Sequence, residues 1–128
     1  MTYIDWEYYS SLYTVVTDNK EFERLLKLAE IKLNSMTHMR AKQFESTYDE
    51  NTATAFQQQV HMQIQNTVCE LVNALYVQET SGMGTGIASV SNDGYSESYK
   101  ITTAAEKEAQ LTTLVRAGLS GTGLAGAL

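Results

Sequence analysis

The sequence predicts a mainly α protein: a small bundle of three main helices with an extended, β-hairpin-like arm and a flexible C-terminal tail. Two long segments in which apolar residues recur at three- and four-residue steps predict the main helices. A serine-alternating segment around an Asn-Asp-Gly turn predicts the arm. The length of 128 residues suits a single domain over 1–128 with a substantial core.

The two main helices fall within residues 18–80. Asp18 followed by Glu21 has the spacing of a capping box and opens the first helix, predicted over 18–39. Its inward face comprises Phe22, Leu25, Leu26, Ala29, Leu33 and Met36. Residues 40–50 are polar and poorly periodic, which predicts a connecting loop. The second helix, predicted over 52–78, has an inward stripe of Phe56, Val60, Ile64, Thr67, Val68, Leu71 and Leu75.

The chain after the second helix divides into three predicted segments. Glycines at alternate positions from Gly82 break the helix and open the extended hairpin over 82–102. The contact residues expected on this arm are Ser89, Ser91, Asp93, Tyr95, Ser96 and Tyr99. A third helix is predicted over 103–118, ended by Gly118, with Ala104, Leu111, Leu114 and Val115 inward. The uncharged tail over 119–128 is predicted to be flexible and to order on a partner.

Residues 1–16 form an aromatic N-terminal arm that holds the only tryptophan and four of the eight tyrosines. Aromatic side chains bury large areas and are enriched at interfaces, so the arm could dock on a partner. Packing across the ends of the chain's own helices is an equally open interpretation. The candidate contact residues are Trp6, Tyr8, Tyr9 and Tyr13.

The distribution of charge argues against nucleic-acid recognition. The formal net charge is −6, and no Lys or Arg occurs between Lys42 and Lys100. That interval contains Glu45, Asp49, Glu50, Glu70, Glu79, Asp93 and Glu97. Clustered cations are needed to neutralise phosphates.

The apolar runs of the sequence fall short of the roughly 20 residues of a membrane span. The start of the chain lacks the pattern of a signal peptide.

No motif predicts catalysis, a cofactor or a metal. Gly121, Gly123 and Gly126 match a dinucleotide fingerprint, but no strand precedes them and no helix follows. The glycines after the second helix lack the lysine of a phosphate loop. His38 and His61 belong to no cluster with metal-ligand spacing. The single cysteine is predicted to be a packed, reduced thiol.

In their order along the chain, these pieces resemble the head-tail connector (head-completion adaptor) proteins of tailed bacteriophages, and the resemblance spans nearly the whole chain. The residues that carry it are Asp5, Tyr8, Tyr9 and Tyr13, then Glu21–Leu26 with Leu33 and Thr37, then Val68–Tyr76, then Ile87–Tyr99, and finally Gly121–Leu124. Members of the family often carry an aromatic and a basic residue after Gly-Thr-Gly-Leu. This chain has Ala125–Leu128 there instead.

The resemblance implies a structural virion protein and no enzyme. Copies would form a homo-oligomeric, dodecameric ring below the portal, which completes the head and continues the DNA channel. The implied partners are the portal protein and the next neck protein (stopper) or tail-completion protein, with DNA only as passing cargo and no membrane. The implied location is the neck of the virion, after assembly in the host cytoplasm. The portal-contacting tail residues would be Gly121, Thr122, Gly123, Leu124 and Leu128.

Two other functions remain open on the residues alone. A small soluble helical domain could use the aromatic arm to recognise a protein or a ligand, with no role in a phage particle. A DNA-processing enzyme would need clustered acids to hold metal and basic residues to hold phosphate, and neither is visible.

Overall fold

The structure, a computed structural model, describes residues 2–82 and 103–125, and these residues are mainly helical. Their five helices are α1 (Trp6–Leu12), α2 (Asn19–Met36), α3 (Arg40–Thr47), α4 (Ala55–Gly82) and α5 (Ala104–Gly118). The helical class is therefore confirmed, although the described part has five helices where three main ones were predicted. No strand occurs in these two ranges. The predicted hairpin, with Ser89, Ser91, Asp93, Tyr95, Ser96 and Tyr99, lies outside the described residues beyond Gly82, so the structure gives it no support.

Helix α4 is the centre of the bundle, because both α2 and α5 pack against it. All six residues predicted on the inward face of α2 are buried, and Asp18 caps that helix by accepting a hydrogen bond from the Glu21 amide at 3.2 Å. The predicted stripe of α4 is buried from Val60 onward. Phe56 is the exception, since it lies in the first turn of α4 and is 61% exposed.

The ends of α4 differ from the prediction at both sides. Thr54 and Gln57 form a reciprocal capping pair, in which the Gln57 amide donates to Thr54 Oγ1 at 3.1 Å and the Thr54 amide donates to Gln57 Oε1 at 2.9 Å. The helix therefore begins at Ala55 and not near residue 52. It continues to Gly82, so Ser81 and Gly82, predicted to break the helix, belong to it.

Residues 40–50 were predicted to be a loop, and this prediction is wrong, because α3 occupies most of them. The chain ends α2 at Met36 and reverses through His38 and Met39, whose φ angles are +54° and +66°. Helix α3 then buries Ala41 and the carboxylate-bearing Glu45. A buried glutamate counts as polar in a search for apolar periodicity, which is why the helix was missed.

Helix α5 begins with a capping box between Thr103 and Glu106. Leu111 and Val115 are buried as predicted and Leu114 is half-buried, whereas Ala104 is exposed in the first turn. Buried residues from all five helices form one core cluster, and it extends through Leu119 beyond the end of α5.

Helices α4 and α5 are in close contact at Gly118. A β-carbon placed there would lie only 2.2 Å from Thr67 Oγ1. Among the described residues this buried hydroxyl has no hydrogen-bond partner. The position therefore requires glycine because of packing, in addition to any role in ending the helix.

We expect Gly118→Ala to destabilise the fold by about 1–3 kcal/mol, because the added methyl group overlaps the Thr67 side chain. Thr67→Ala removes the hydroxyl and should recover part of this loss in the double variant. Urea unfolding of the wild type, both single variants and the double variant measures the coupling. Strict additivity of the two single effects would contradict the proposed overlap.

Candidate assembly surfaces

The N-terminal segment packs on the chain's own helices, as one of the two interpretations of its aromatic residues predicts, and docking on a partner stays a prediction. Tyr9 is fully buried, and its ring lies 5.0 Å from Phe22 and 5.5 Å from Tyr13, centroid to centroid. Trp6 lies 5.4 Å from Phe22 and completes this aromatic cluster of Trp6, Tyr9, Tyr13 and Phe22. Offset aromatic pairs at such distances stabilise a core beyond their buried area.

Tyrosine hydroxyls fasten the same segment to α4. Tyr9 donates to Asn73 Oδ1 at 2.5 Å and accepts from the buried amide of Val16 at 3.0 Å. Tyr8 donates to Asn66 Oδ1 at 2.8 Å. The bonds to Asn66 and Asn73 join the first turns of the chain to residues 58 and 64 positions later, so the arm is part of the body.

A second set of contacts joins the start of the chain to α2. The Tyr3 amide donates to Glu30 Oε2 at 2.6 Å, and the Tyr3 hydroxyl donates to Asn34 Oδ1 at 2.5 Å. Ile4, between Asp5 and Tyr3, is buried. Burial raises the pKa of the Glu30 carboxyl, and the hydrogen bond from Tyr3 opposes that shift.

The C-terminal segment, defined as Leu119–Ala125, also packs on the body. Leu119 is 1% exposed, and Leu124 and Ala125 contact the core. The chain turns at Gly121 and Gly123, whose φ angles of +82° and +79° favour glycine. The tail predicted to be flexible over 119–128 is therefore ordered through Ala125, and Leu128 lies outside the described residues.

Polar side chains hold the C-terminal segment in place. Gln63 Nε2 on α4 donates to the Gly118 and Ser120 carbonyls at 3.1 and 2.9 Å. Arg40 Nε donates to the Leu124 carbonyl at 3.1 Å. Amide side chains of α4, Gln63 among them, thus connect parts of the same chain.

His61 and Cys69 lie in the packed body, whereas His38 lies on the surface. His61 Nδ1 lies 2.8 Å from Glu45 Oε2, and its ring stacks on Tyr48 at 4.1 Å between centroids. His38 is exposed in the turn after α2. Cys69 is buried, and burial raises the pKa of its thiol to about 12. Among residues 2–82 and 103–125, no three His, Cys, Asp or Glu side chains lie where they could hold a metal ion.

A groove of about 840 Å³ lies between the first residues of the described chain and α2. Its lining is mainly apolar, with Ile4, Trp6 and Leu28 among the apolar residues, and it also includes Lys20 and Lys27. No sequence pattern predicted this groove. Lys20 and Lys27 lie two turns apart on one side of α2, but residues 2–6 form part of the groove only once the chain has folded.

The helices of the described chain include none with the length and apolar character that crossing a bilayer requires. A scan of protein-family models, a search of curated proteins and a search of solved structures found no match to this chain.

We expect Tyr9→Phe to destabilise the protein by about 1–3 kcal/mol, because the buried Val16 amide loses its acceptor and Asn73 loses its donor. Tyr48→Phe serves as the matched control, since that ring stacks on His61 through its face, and should change stability by less than about 0.5 kcal/mol. Urea unfolding followed by circular dichroism measures both. Equal effects would contradict the anchoring role of the Tyr9 hydroxyl.

Stability should fall as the pH rises above about 10. Burial, followed by nearby Glu30 and Glu70, raises the pKa values of Tyr3 and Tyr13 well above the ordinary value of 10.0. The unfolded chain then loses phenolic protons that the folded chain keeps, so the unfolding free energy decreases with increasing pH. Denaturant titrations between about pH 9 and pH 11 measure this trend. Full tyrosine ionisation with an unchanged circular dichroism spectrum would contradict it.

Proposed function

We propose that this chain is a structural virion protein, a head-tail connector of a tailed bacteriophage. In this role it forms a ring under the portal, completes the head, continues the DNA channel and provides the attachment site for the next neck or tail protein. The proposal depends on the ordered series of motifs in the sequence. The helical class of the described chain is compatible with it.

The observation that carries the proposal is that motifs far apart in the sequence meet in space. Tyr9 from the first motif contacts Phe22 from the second at 5.0 Å and donates a hydrogen bond to Asn73 from the third. Asp5, also in the first motif, caps α1 by accepting from the Tyr8 amide at 2.8 Å. The described residues of the first three motifs thus pack against one another, which supports interpreting them as parts of one architecture.

A closed ring requires a contact between two different surfaces of neighbouring copies. The described surface has apolar side chains available for such a contact. The large apolar residues that are exposed are Leu12, Val15, Leu28, Ile31, Met39, Phe56, Met62 and Val77. They lie on α1, α2, α4 and the connections before α2 and α3, so more than one surface is available for contacts between copies.

The charge distribution supports a passage through which DNA moves without being held. Residues 43–99 contain no lysine or arginine. A wall of amides and carboxylates makes few phosphate contacts, whereas a wall of lysines would bind the backbone strongly and release it slowly. We infer that part of this cation-free stretch faces the channel.

The proposal assigns roles to the C-terminal tail and to the predicted arm. The turn at Gly121 and Gly123 is exposed, and with the residues through Leu128 it is the portal-contacting tail in this proposal. The arm predicted over 82–102 contacts adjacent subunits or the stopper. Main-chain hydrogen bonding by such an arm gives affinity without charge.

Imaging the portal vertex of virions that carry this sequence tests the proposal directly. We expect a ring of density with the dimensions of this helical body between the portal and the tail. Mass spectrometry of purified virions should detect the chain in a fixed ratio to the portal protein. Absence of the chain from purified virions would refute the proposed function.

Deletion of residues 126–128 should lower the occupancy of the chain on portal-bearing heads while leaving its unfolding midpoint unchanged. This deletion keeps the buried Leu119 and the Arg40 contact with Leu124, whereas deletion from residue 119 would remove both and destabilise the fold. Quantitative immunoblotting of purified heads measures occupancy. Occupancy equal to that of the wild type would show that the end of the tail does not dock on the portal.

A further inference from the structure

A cavity of about 400 Å³ lies where the end of α1, the middle of α4 and the C-terminal end of α5 meet. It is here called the α4–α5 cavity. Thr67 and Glu70 of α4, Leu114 and Gly118 of α5, and Tyr13 after α1 are among its lining residues. Its volume falls within the range of pockets that hold small organic ligands.

The buried hydroxyl of Thr67 is the first indication that this cavity accepts a ligand. Thr67 is 2% exposed, and its Oγ1 has no hydrogen-bond partner among the described residues. The hydroxyl lies against Gly118, which also lines the cavity. A buried hydroxyl that has lost water and gained no partner costs folding free energy, so such groups are rare in a folded protein. A bound molecule with a donor would supply the missing hydrogen bond.

The charge of the cavity determines which donor fits. Glu70 is its one ionised lining residue, and it makes no ion pair with the described residues. Neither α1 nor α4 contains a lysine or arginine. Arg116 of α5 is exposed and does not line the cavity. The carboxylate is therefore left for a cation from outside this part of the chain.

Neighbouring titratable groups report the same negative potential. Burial and then Glu70 raise the pKa of the Cys69 thiol to about 12. Burial and then Glu70 also raise the pKa of Tyr13 well above its ordinary value. No lysine or arginine opposes either shift, so no cation offsets the Glu70 charge at this end of the cavity.

The remaining lining is mainly apolar and suits an aliphatic chain. Leu114 and Tyr13 are half-buried and Ala117 is exposed beside them. A methylene chain packs on such a surface while its charged end stays with a carboxylate, as lysine side chains do. Asn66 Oδ1 accepts from Tyr8, and Gln63 Nε2 donates to two carbonyls, so these two amides are already engaged within the chain.

We infer that the α4–α5 cavity binds an alkylammonium group, with the ammonium beside the Glu70 carboxylate and hydrogen-bonded to the Thr67 hydroxyl. The aliphatic chain of the ligand lies against Leu114 and Tyr13. The same group is presented by a lysine side chain of another protein and by a free primary amine. This inference goes beyond the proposed connector function and does not depend on it.

Titration with n-pentylammonium chloride, followed by two-dimensional NMR of the backbone amides of the purified chain, tests the inference. We expect saturable shifts at residues 66–70 and 114–118, with a Kd on the order of 1 mM. The uncharged analogue 1-pentanol should bind at least about threefold more weakly, because it cannot pair with Glu70. Shifts that do not saturate, or equal affinity for 1-pentanol, would overturn the inference.

A matched pair of charge variants locates the ion pair. Glu70→Gln should raise the Kd for n-pentylammonium about threefold or more. Glu7→Gln makes the same change in charge on α1, at an exposed residue that does not line the cavity, and should leave the Kd nearly unchanged. Equal effects of the two variants would show attraction to the net charge alone and overturn the inference.

A second pair of variants tests the buried hydroxyl. Thr67→Ser keeps the hydroxyl and should bind n-pentylammonium nearly as the wild type does, whereas Thr67→Ala removes it and should raise the Kd about threefold or more. Urea unfolding shows that each variant is folded under the conditions of the titration. Equal Kd values for the two variants would overturn the hydrogen bond to Thr67.

A blocked lysine, Nα-acetyl-lysine methylamide, separates the two sources of the ligand. A Kd close to that of n-pentylammonium assigns the cavity to a lysine side chain of a partner protein. Binding of n-pentylammonium without binding of the blocked lysine assigns it to a free amine, and binding of neither overturns the inference. Each of these results leaves the connector function standing, because imaging of the portal vertex decides that function separately.

Discussion

The burial of Tyr9 is the interaction on which the arrangement of the helices depends. Its ring packs between Trp6, Tyr13 and Phe22, and its hydroxyl joins Asn73 of α4 to the Val16 amide. One side chain thereby connects α1, α2, α4 and the turn that leads into α2. Because the buried Tyr9 hydroxyl pairs with both a donor and an acceptor, it fixes the path of the chain between α1 and α2 and also stabilises the fold.

Helix α4 acts as a common support for both ends of the described chain. Asn66 and Asn73 bind the N-terminal segment, and Gln63 binds the carbonyls that follow α5. These amides are uncharged, so they can be partly buried at a lower cost than lysine or glutamate. Three amides of α4 therefore connect distant parts of the chain, while Gln57, Gln58 and Gln59 at its start are exposed.

Anchoring of the two ends limits the surfaces that remain for assembly. The aromatic residues of the N-terminal segment are buried or half-buried in the molecule, whereas the outer side of α2, Phe56 and the turn near Gly121 are exposed. Ile4 and Trp6 also line the groove between residues 2–6 and α2. The segment whose aromatic residues suggested a docking arm is thus part of the body and of this groove.

The sequence by itself determined the helical class, the inward faces of α2 and α5 around Phe22, Leu33, Leu111 and Val115, and the cap at Asp18, because helical periodicity and capping depend on residues within a few positions of one another. The capping box at Thr103 is equally local but was found only in the structure. Only the tertiary structure decided that residues 40–47 form a helix, since burial of Glu45 requires His61, sixteen residues away. The same holds for the anchoring of Tyr9 and Leu119 and for the groove between residues 2–6 and α2. Each depends on side chains that come together only when distant helices pack. A local sequence pattern does not predict such contacts.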